Sequence, residues 1–301
     1  MFNKYGKILE KKILFLSIII SLILLIKPSF VNLENIRIIN NYDSQINLII
    51  KGIGDQNILN KSFQYEPSEV IINGYRNDSC KKICFFQDDL NNITLKFSNQ
   101  IPSCKSMFQN LDNIIEIDLS NFDASQTTSM HGMFSRCTRL TNVTLSNSNT
   151  YYLNDISYMF ADCINLEIIN FRNLNTSSVE NMADLFCNCT KISSIDISLF
   201  DTSKVTSMGY MFHNCSNLET IILGNINTSS VRNMVHLFDH NAKISSIDLS
   251  NLDISKISSM QSMFYNCSNL EKINFGNFKT SSVKSMRSAF CNCPKLTSIN
   301  S

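Results

Sequence analysis

The stretch Val205-Thr206-Ser207-Met208-Gly209-Tyr210-Met211-Phe212-His213-Asn214-Cys215 decides the fold. Its apolar residues stand at 205, 208, 211, 212 and 215, the spacing of one face of a short helix. Ser203 or Thr206 is placed to cap that helix, since either hydroxyl accepts from the free amides of a first turn. Beyond Leu218 the rhythm changes. Ile221 and Leu223 alternate with polar or small neighbours, the period-two pattern of a short strand. Each unit reads as one strand, a turn such as Asn225 to Ser230, and one short helix.

The unit recurs along the chain. Phenylalanine stands at 108, 134, 160, 186, 212, 238, 264 and 290, always 26 residues apart. Three residues later comes Cys137, Cys163, Cys189, Cys215, Cys267 or Cys293, with Leu111 and Asn241 in the two gaps; nine later comes Ile or Val in every copy. A fixed period of this length indicates stacked supersecondary units that share a continuous core. The expected fold class is an α/β solenoid: a leucine-rich-repeat-like stack of short strand plus short helix units with a parallel sheet, and a small β-rich N-terminal cap. The copies also alternate in kind. Units around Asp118, Asp196 and Asp248 place Asp123, Asp201 and Asp253 in the following turn, whereas units at 170, 222 and 274 carry Thr-Ser-Ser-Val turns, which points to a 52-residue duplication.

The pattern C-x-x-L-x-x-I-x-L-S-x-F-D-x-S-x-V-x-x-M-x-x-M-F resembles the BspA-like leucine-rich-repeat surface proteins, whose 26-residue repeats are related to the Treponema type of leucine-rich repeat. The resemblance covers residues 101–301. It implies an exported or surface-displayed protein associated with adhesion and protein binding. Departures are Cys104 where Met is expected, the blurred turn around Ser148, Tyr151 and Ile156, and Asn241 in place of the repeat Cys.

Composition sets the outer limits. Lys+Arg 26 balance Asp+Glu 25 in 301 residues, so no long-range field favours nucleic acid. Hydrophobic residues at 44% and charged residues at 17% suit a packed core. Residues 1–31 read as a signal peptide or signal anchor. Lys4, Lys7, Lys11 and Lys12 precede the uncharged run ILFLSIIISLILLI at 13–26, long enough for a signal core and short of the roughly 20 residues of a spanning helix. Cleaved or retained, it directs the remainder outside the cell, and a retained segment would be the chain's one link to a membrane. No Cys precedes Cys80, so lipid attachment after the signal is not expected.

Residues 32–100 lack the period and read as the β-rich cap. Candidate strands are Ile46–Ile50, Val70–Ile72 and Ile93–Phe97, with turns at Gly52, Asn73-Gly74 and Asn91-Asn92. Gly52-Ile53-Gly54 does not make a dinucleotide loop, because Asn57 occupies the third glycine position. Cys80 and Cys84 are the candidate disulfide in an exported chain. The repeat cysteines read as buried small hydrophobes, and Cys187 and Cys291, after the Phe, as exposed. Sequons at Asn60, Asn77, Asn92, Asn142, Asn175, Asn188, Asn214, Asn227 and Asn266 are possible N-glycosylation acceptors in an exported eukaryotic context.

No catalytic set emerges. Asp118, Asp196 and Asp248 are three and two repeats apart, about 14 and 10 Å, too far to flank one bond. His236, Asp239 and His240 share a face, and two imidazoles four residues apart are capable of holding a metal. These positions are variable and no third or fourth ligand recurs, so neither a metal nor another cofactor is expected. The candidate ligand-contact row is Asp118, Thr144, Asn170, Asp196, Ile222, Asp248 and Asn274, one residue per repeat along the sheet. The function expected is an exported or cell-surface adhesive or recognition protein, non-catalytic, whose partner is an extracellular or host protein or glycan. The alternative is a structural surface-coat component that self-associates.

Overall fold

The computed structural model describes residues 44–145, 150–172, 174–276 and 281–300. The chain divides into two compact units, 1–42 and 43–301; the first, with the expected export signal, lies outside the described residues. Among the described residues no helix is long and apolar enough to cross a membrane.

The N-terminal part consists of β1 (Ser44–Lys51), β2 (Gly54–Asn57), β3 (Glu69–Ile72), β4 (Tyr75–Asn77), β5 (Ile83–Phe86) and β6 (Leu90–Phe97). Alternation decides the inward face of the two long strands: Ile46, Leu48 and Ile50 of β1 and Ile93, Leu95 and Phe97 of β6 are buried. β3 and β4 are joined by Asn73-Gly74, both with positive φ (50° and 86°), the pair that a two-residue hairpin turn requires. The turn expected at Asn91-Asn92 is instead part of β6. Asn91 is buried there, its Nδ2 donating to the Asp88 carbonyl at 2.7 Å. Cys80 and Cys84 are joined by a disulfide.

The repeats contribute β7 (Ile114–Asp118), β8 (Asn142–Thr144), β9 (Ile168–Asn170), β10 (Ser194–Asp196), β11 (Thr220–Ile222), β12 (Ser246–Asp248), β13 (Lys272–Asn274) and β14 (Ser298–Asn300). β1 pairs antiparallel with both β6 and β7, so one sheet runs β4-β3-β6-β1-β7-β8-β9. The long strands of the N-terminal part therefore cover the first strand edge of the repeats, where an open edge would otherwise invite pairing with another chain. Within the repeats, pairing is parallel and in register, one coil to the next: Ile117 beside Val143, Val143 beside Ile169. Two further sheets, β10-β11 and β12-β13-β14, follow.

The structure overturns the α/β expectation. No helix occurs among the described residues, and the repeats form a β-solenoid of about seven turns. The segment read as a helix is a chain of tight turns. In it Met208, Tyr210, Phe212 and Asn214 donate their N–H groups to the carbonyls of Asn233, Val235, Leu237 and Asp239 in the next coil, at 2.8–3.1 Å. Between them, Met211 donates to Met208 and His213 to Tyr210, closing four-residue turns. Two residues per coil adopt left-handed backbone, here Tyr210 (φ 56°) and Asn214 (φ 53°), which no α-helix contains. In the second coil Gly132 takes the first of these positions at φ 56°. The apolar spacing of three and four belongs to these turns, which send Met208, Met211, Phe212 and Cys215 inward as a helix would. Thr206 is no cap, since its hydroxyl donates to Glu180 one coil back at 3.1 Å; Ser203 instead uses its backbone N–H on Asp201 Oδ1 at 3.0 Å.

Three ladders run up the core. The eight phenylalanines stack ring on ring, with centroids 5.4–5.8 Å apart and planes within 16°. Thr150, Thr176, Thr202 and Thr228, all buried, donate to the carbonyls of Asn175, Asp201, Asn227 and Asp253 at 2.8–3.1 Å. The repeat cysteines donate Sγ–H to the carbonyl of the preceding coil's Phe, as Cys215 does to Phe186 at 3.1 Å. Asn241 replaces one of them and keeps the bond, its Nδ2 reaching the Phe212 carbonyl at 2.8 Å.

Candidate functional site

The strand face comes first, because the sequence placed a contact row there. Asn170, Asp196, Ile222 and Asp248 are exposed; Asp118, Thr144 and Asn274 are half-buried. Register brings Asp118, Thr144 and Asn170 side by side, then Asp196 with Ile222, then Asp248 with Asn274. The row is interrupted, since β9 does not pair with β10, nor β11 with β12. A shallow groove of about 470 Å³ opens between β11 and β12, lined by residues that include Thr220, Ile222, Ser246 and Asp248. The acidic members also have a local duty: Asp118, Asp196 and Asp248 accept the N–H two residues on, from Ser120, Ser198 and Ser250, at 2.8–2.9 Å. Those bonds to Ser198 and Ser250 hold the Asp196 and Asp248 carboxyls below the ordinary carboxylate range. Ile168 and Ile222 stand exposed among these polar residues.

A second arrangement lies on the turn ladder, where the sequence predicted solvated, variable positions. Asp239 is only 2% exposed, as is Ser135 at the same register at 6%, so this position is not uniformly open. Three of the chain's four histidines converge on Asp239. His236 Nδ1 lies 2.5 Å from Oδ2, His240 Nδ1 is in contact with Oδ1, and His213 Nδ1 lies 3.4 Å from Oδ2. His236 (φ 57°) and His240 (φ 61°) occupy the two left-handed positions of their coil, which turn both rings toward the residue between them. His213 comes from the coil below, where the 26-residue register puts it under Asp239. Reasoning within one coil found His236, Asp239 and His240 but missed His213; adding 26 to its number would have supplied it. Burial works against charge on Asp239, yet the His236 bond and the nearness of His213 and His240 outweigh it, and its carboxyl is held below the usual range. Tyr210 stacks on His236 at 4.5 Å, and Tyr265 lies against His240 at 5.3 Å.

Cys187, His213 and Asp239 share one register in successive coils, an order that suggests nucleophilic chemistry on paper. Burial, aided by the charge of Asp184, pushes the Cys187 thiol up to about 12, the opposite of what a thiolate nucleophile requires. Cys187 is half-buried and Cys291 exposed. Cys104 and Cys137 are buried and pushed up to about 12, chiefly by desolvation. Of the sequon asparagines, Asn92 and Asn227 are exposed and the others half-buried. Asn60, Asn188 and Asn214 already spend their side-chain nitrogens on Gln109, Asp162 and Asn188, bonds that a sugar would displace.

A family model described as "Mycoplasma protein of unknown function, DUF285" matches residues 102–195 and 185–300, which together take in nearly all the coils. No curated protein matches the chain. The two matched segments overlap by less than half a coil, as expected of a model that spans several repeats and fits twice on a uniform stack. The chain belongs to the family described as Mycoplasma protein of unknown function, DUF285.

Proposed function

We propose that this chain is a non-catalytic recognition module of the cell exterior, binding an extracellular or host protein or glycan through its strand face. The observation that carries the reading is the row of outward residues on β7–β14, where exposed Ile168 and Ile222 are interleaved with Asn170, Asp196 and Asp248. Broad repeat surfaces of this composition bind through many modest contacts. The groove between β11 and β12, and a second of about 450 Å³ lined by residues that include Asn47, Thr94, Asp118 and Thr144, add concave elements to the strand side. The lysine-led apolar run at 13–26 and the likeness of residues 101–301 to BspA-like surface proteins support an external address and adhesion.

Two measurements test it. Antibody labelling of intact cells should detect the chain without permeabilisation; detection only in the cytosol ends the reading. A variant combining Asp196→Lys, Ile222→Lys and Asp248→Lys should lose at least about tenfold in binding to arrayed matrix proteins and glycans, about 1.4 kcal/mol. Unchanged binding, or concentration-dependent sheets of the pure protein with no external ligand, favours the self-associating coat instead.

A further inference from the structure

We infer that His213, His236 and Asp239 form a binding site for a zinc-class divalent metal ion, with His240 completing or buttressing it. The inference is independent of the recognition reading, since it concerns the turn ladder and not the strand face. Among the described residues this is the group whose ligand atoms all lie within 4.8 Å of one another. The donor set is two or three imidazole nitrogens and a carboxylate, which suits zinc and its neighbours and not magnesium or calcium.

Three features distinguish it from a chance cluster. First, His213 Nδ1 is buried and makes no hydrogen bond, although it faces Asp239 Oδ2 at 3.4 Å. Zinc ligands at about 2.0–2.2 Å in a tetrahedron stand about 3.3–3.5 Å from one another, so this pair is already spaced for a shared metal. His236 Nδ1 sits at 2.5 Å from the same oxygen, a hydrogen-bond distance; a metal replacing the shared proton would move the pair apart by somewhat less than about 1 Å. Second, two of the histidines hold the two left-handed positions of a single coil. At the place of His240 six of the seven other coils carry Asn110, Asp162, Asn188, Asn214, Asn266 and Asn292, and the seventh carries Arg136, all in left-handed backbone. His240 and His236 stand in such positions within one coil and meet the same carboxylate. Third, the ligands span two coils. A bound ion would tie Phe212's turn to Phe238's, where Asn241 interrupts the run of cysteine donors and its Oδ1 is buried without a partner.

The test is titration of the metal-depleted full chain with zinc chloride alone. One ion should bind per chain, with affinity falling as the pH is lowered because the imidazoles must be neutral to coordinate. Nine free cysteines are a rival site, so binding must survive alkylation of the accessible thiols. His213→Gln and His236→Gln should each lower affinity more than about a hundredfold, beyond the 10–100-fold typical of losing a supporting contact, while His131→Gln should leave it unchanged. Should a variant fail to fold, the native chain suffices: zinc should protect His213, His236 and His240, and not His131, from acylation by diethylpyrocarbonate. Absence of stoichiometric binding, loss of binding on alkylation, equal response to magnesium or calcium, or equal acylation of all four histidines would overturn the assignment.

Discussion

The two sides of each coil are built on different rules. On the turn side the stack runs through all eight phenylalanines without a break, and amide donors climb beside it from coil to coil. On the strand side, three-residue strands pair in groups and the sheet lapses between β9 and β10 and between β11 and β12. Both lapses fall where a Thr-Ser-Ser-Val coil is followed by an Asp-type coil. The stack is therefore held by its aromatic seam, and the strand face is left freer to vary in sequence and shape. In the N-terminal part the order is reversed: eight-residue strands with alternating burial carry the structure.

The contrast predicts unequal responses to substitution. Phe186→Ala, which breaks the seam midway and leaves a void between Phe160 and Phe212, should cost about 3–5 kcal/mol in urea unfolding; a loss below about 1 kcal/mol would place the holding force elsewhere. Thr176→Val keeps the shape but strips both the donor to the Asp201 carbonyl and the acceptor of the Asp201 N–H. It should cost about 1–3 kcal/mol.

Acid should act more weakly, on Asp239 of the turn ladder as well as on the strand side and its corner. The Asp196, Asp201 and Asp248 carboxyls are all lowered, first by bonds from Ser198, Ser203 and Ser250. A lowered folded pKa stabilises above the unfolded value of about 3.9 and is lost as the pH falls through the folded value. The unfolding midpoint should thus hold steady from neutrality to about pH 5 and slip below pH 4. Combined Asn replacements should flatten that slip, and a midpoint that rises on acidification would contradict the sign. Smallest of all, Ile222→Ser removes an exposed side chain and should move stability by no more than about 0.5 kcal/mol, even while it weakens any ligand of that face.

Much of this was legible in residue spacing. The 26-residue period and the inward phenylalanines lie where the pattern put them, as do the Ile or Val nine residues later apart from exposed Ile299, because a stack repeats whatever its local backbone does. The local backbone was not legible in the same way. Apolar residues three and four apart serve a helix and a run of tight turns equally, and the hydrogen bonds that decide between them go to partners 25 residues away. The clue that did exist is the Asn or Asp two residues after Phe108, Phe160, Phe186, Phe212, Phe264 and Phe290, a residue type suited to left-handed backbone. Asp239 misled for a related reason: its burial depends on the coils above and below, which no window within one coil contains.

The cysteine donors carry a final consequence. Folded, Cys137, Cys163, Cys189, Cys215 and Cys267 are sealed inside with their protons held against carbonyl oxygens, and a thiol in that state scarcely reacts. Unfolded in an oxidising medium, the same groups become free to cross-link within and between chains, so oxidation competes with restacking of the coils. Where oxidation wins, denaturation becomes a one-way event, and the protein's persistence is then governed by how rarely it opens.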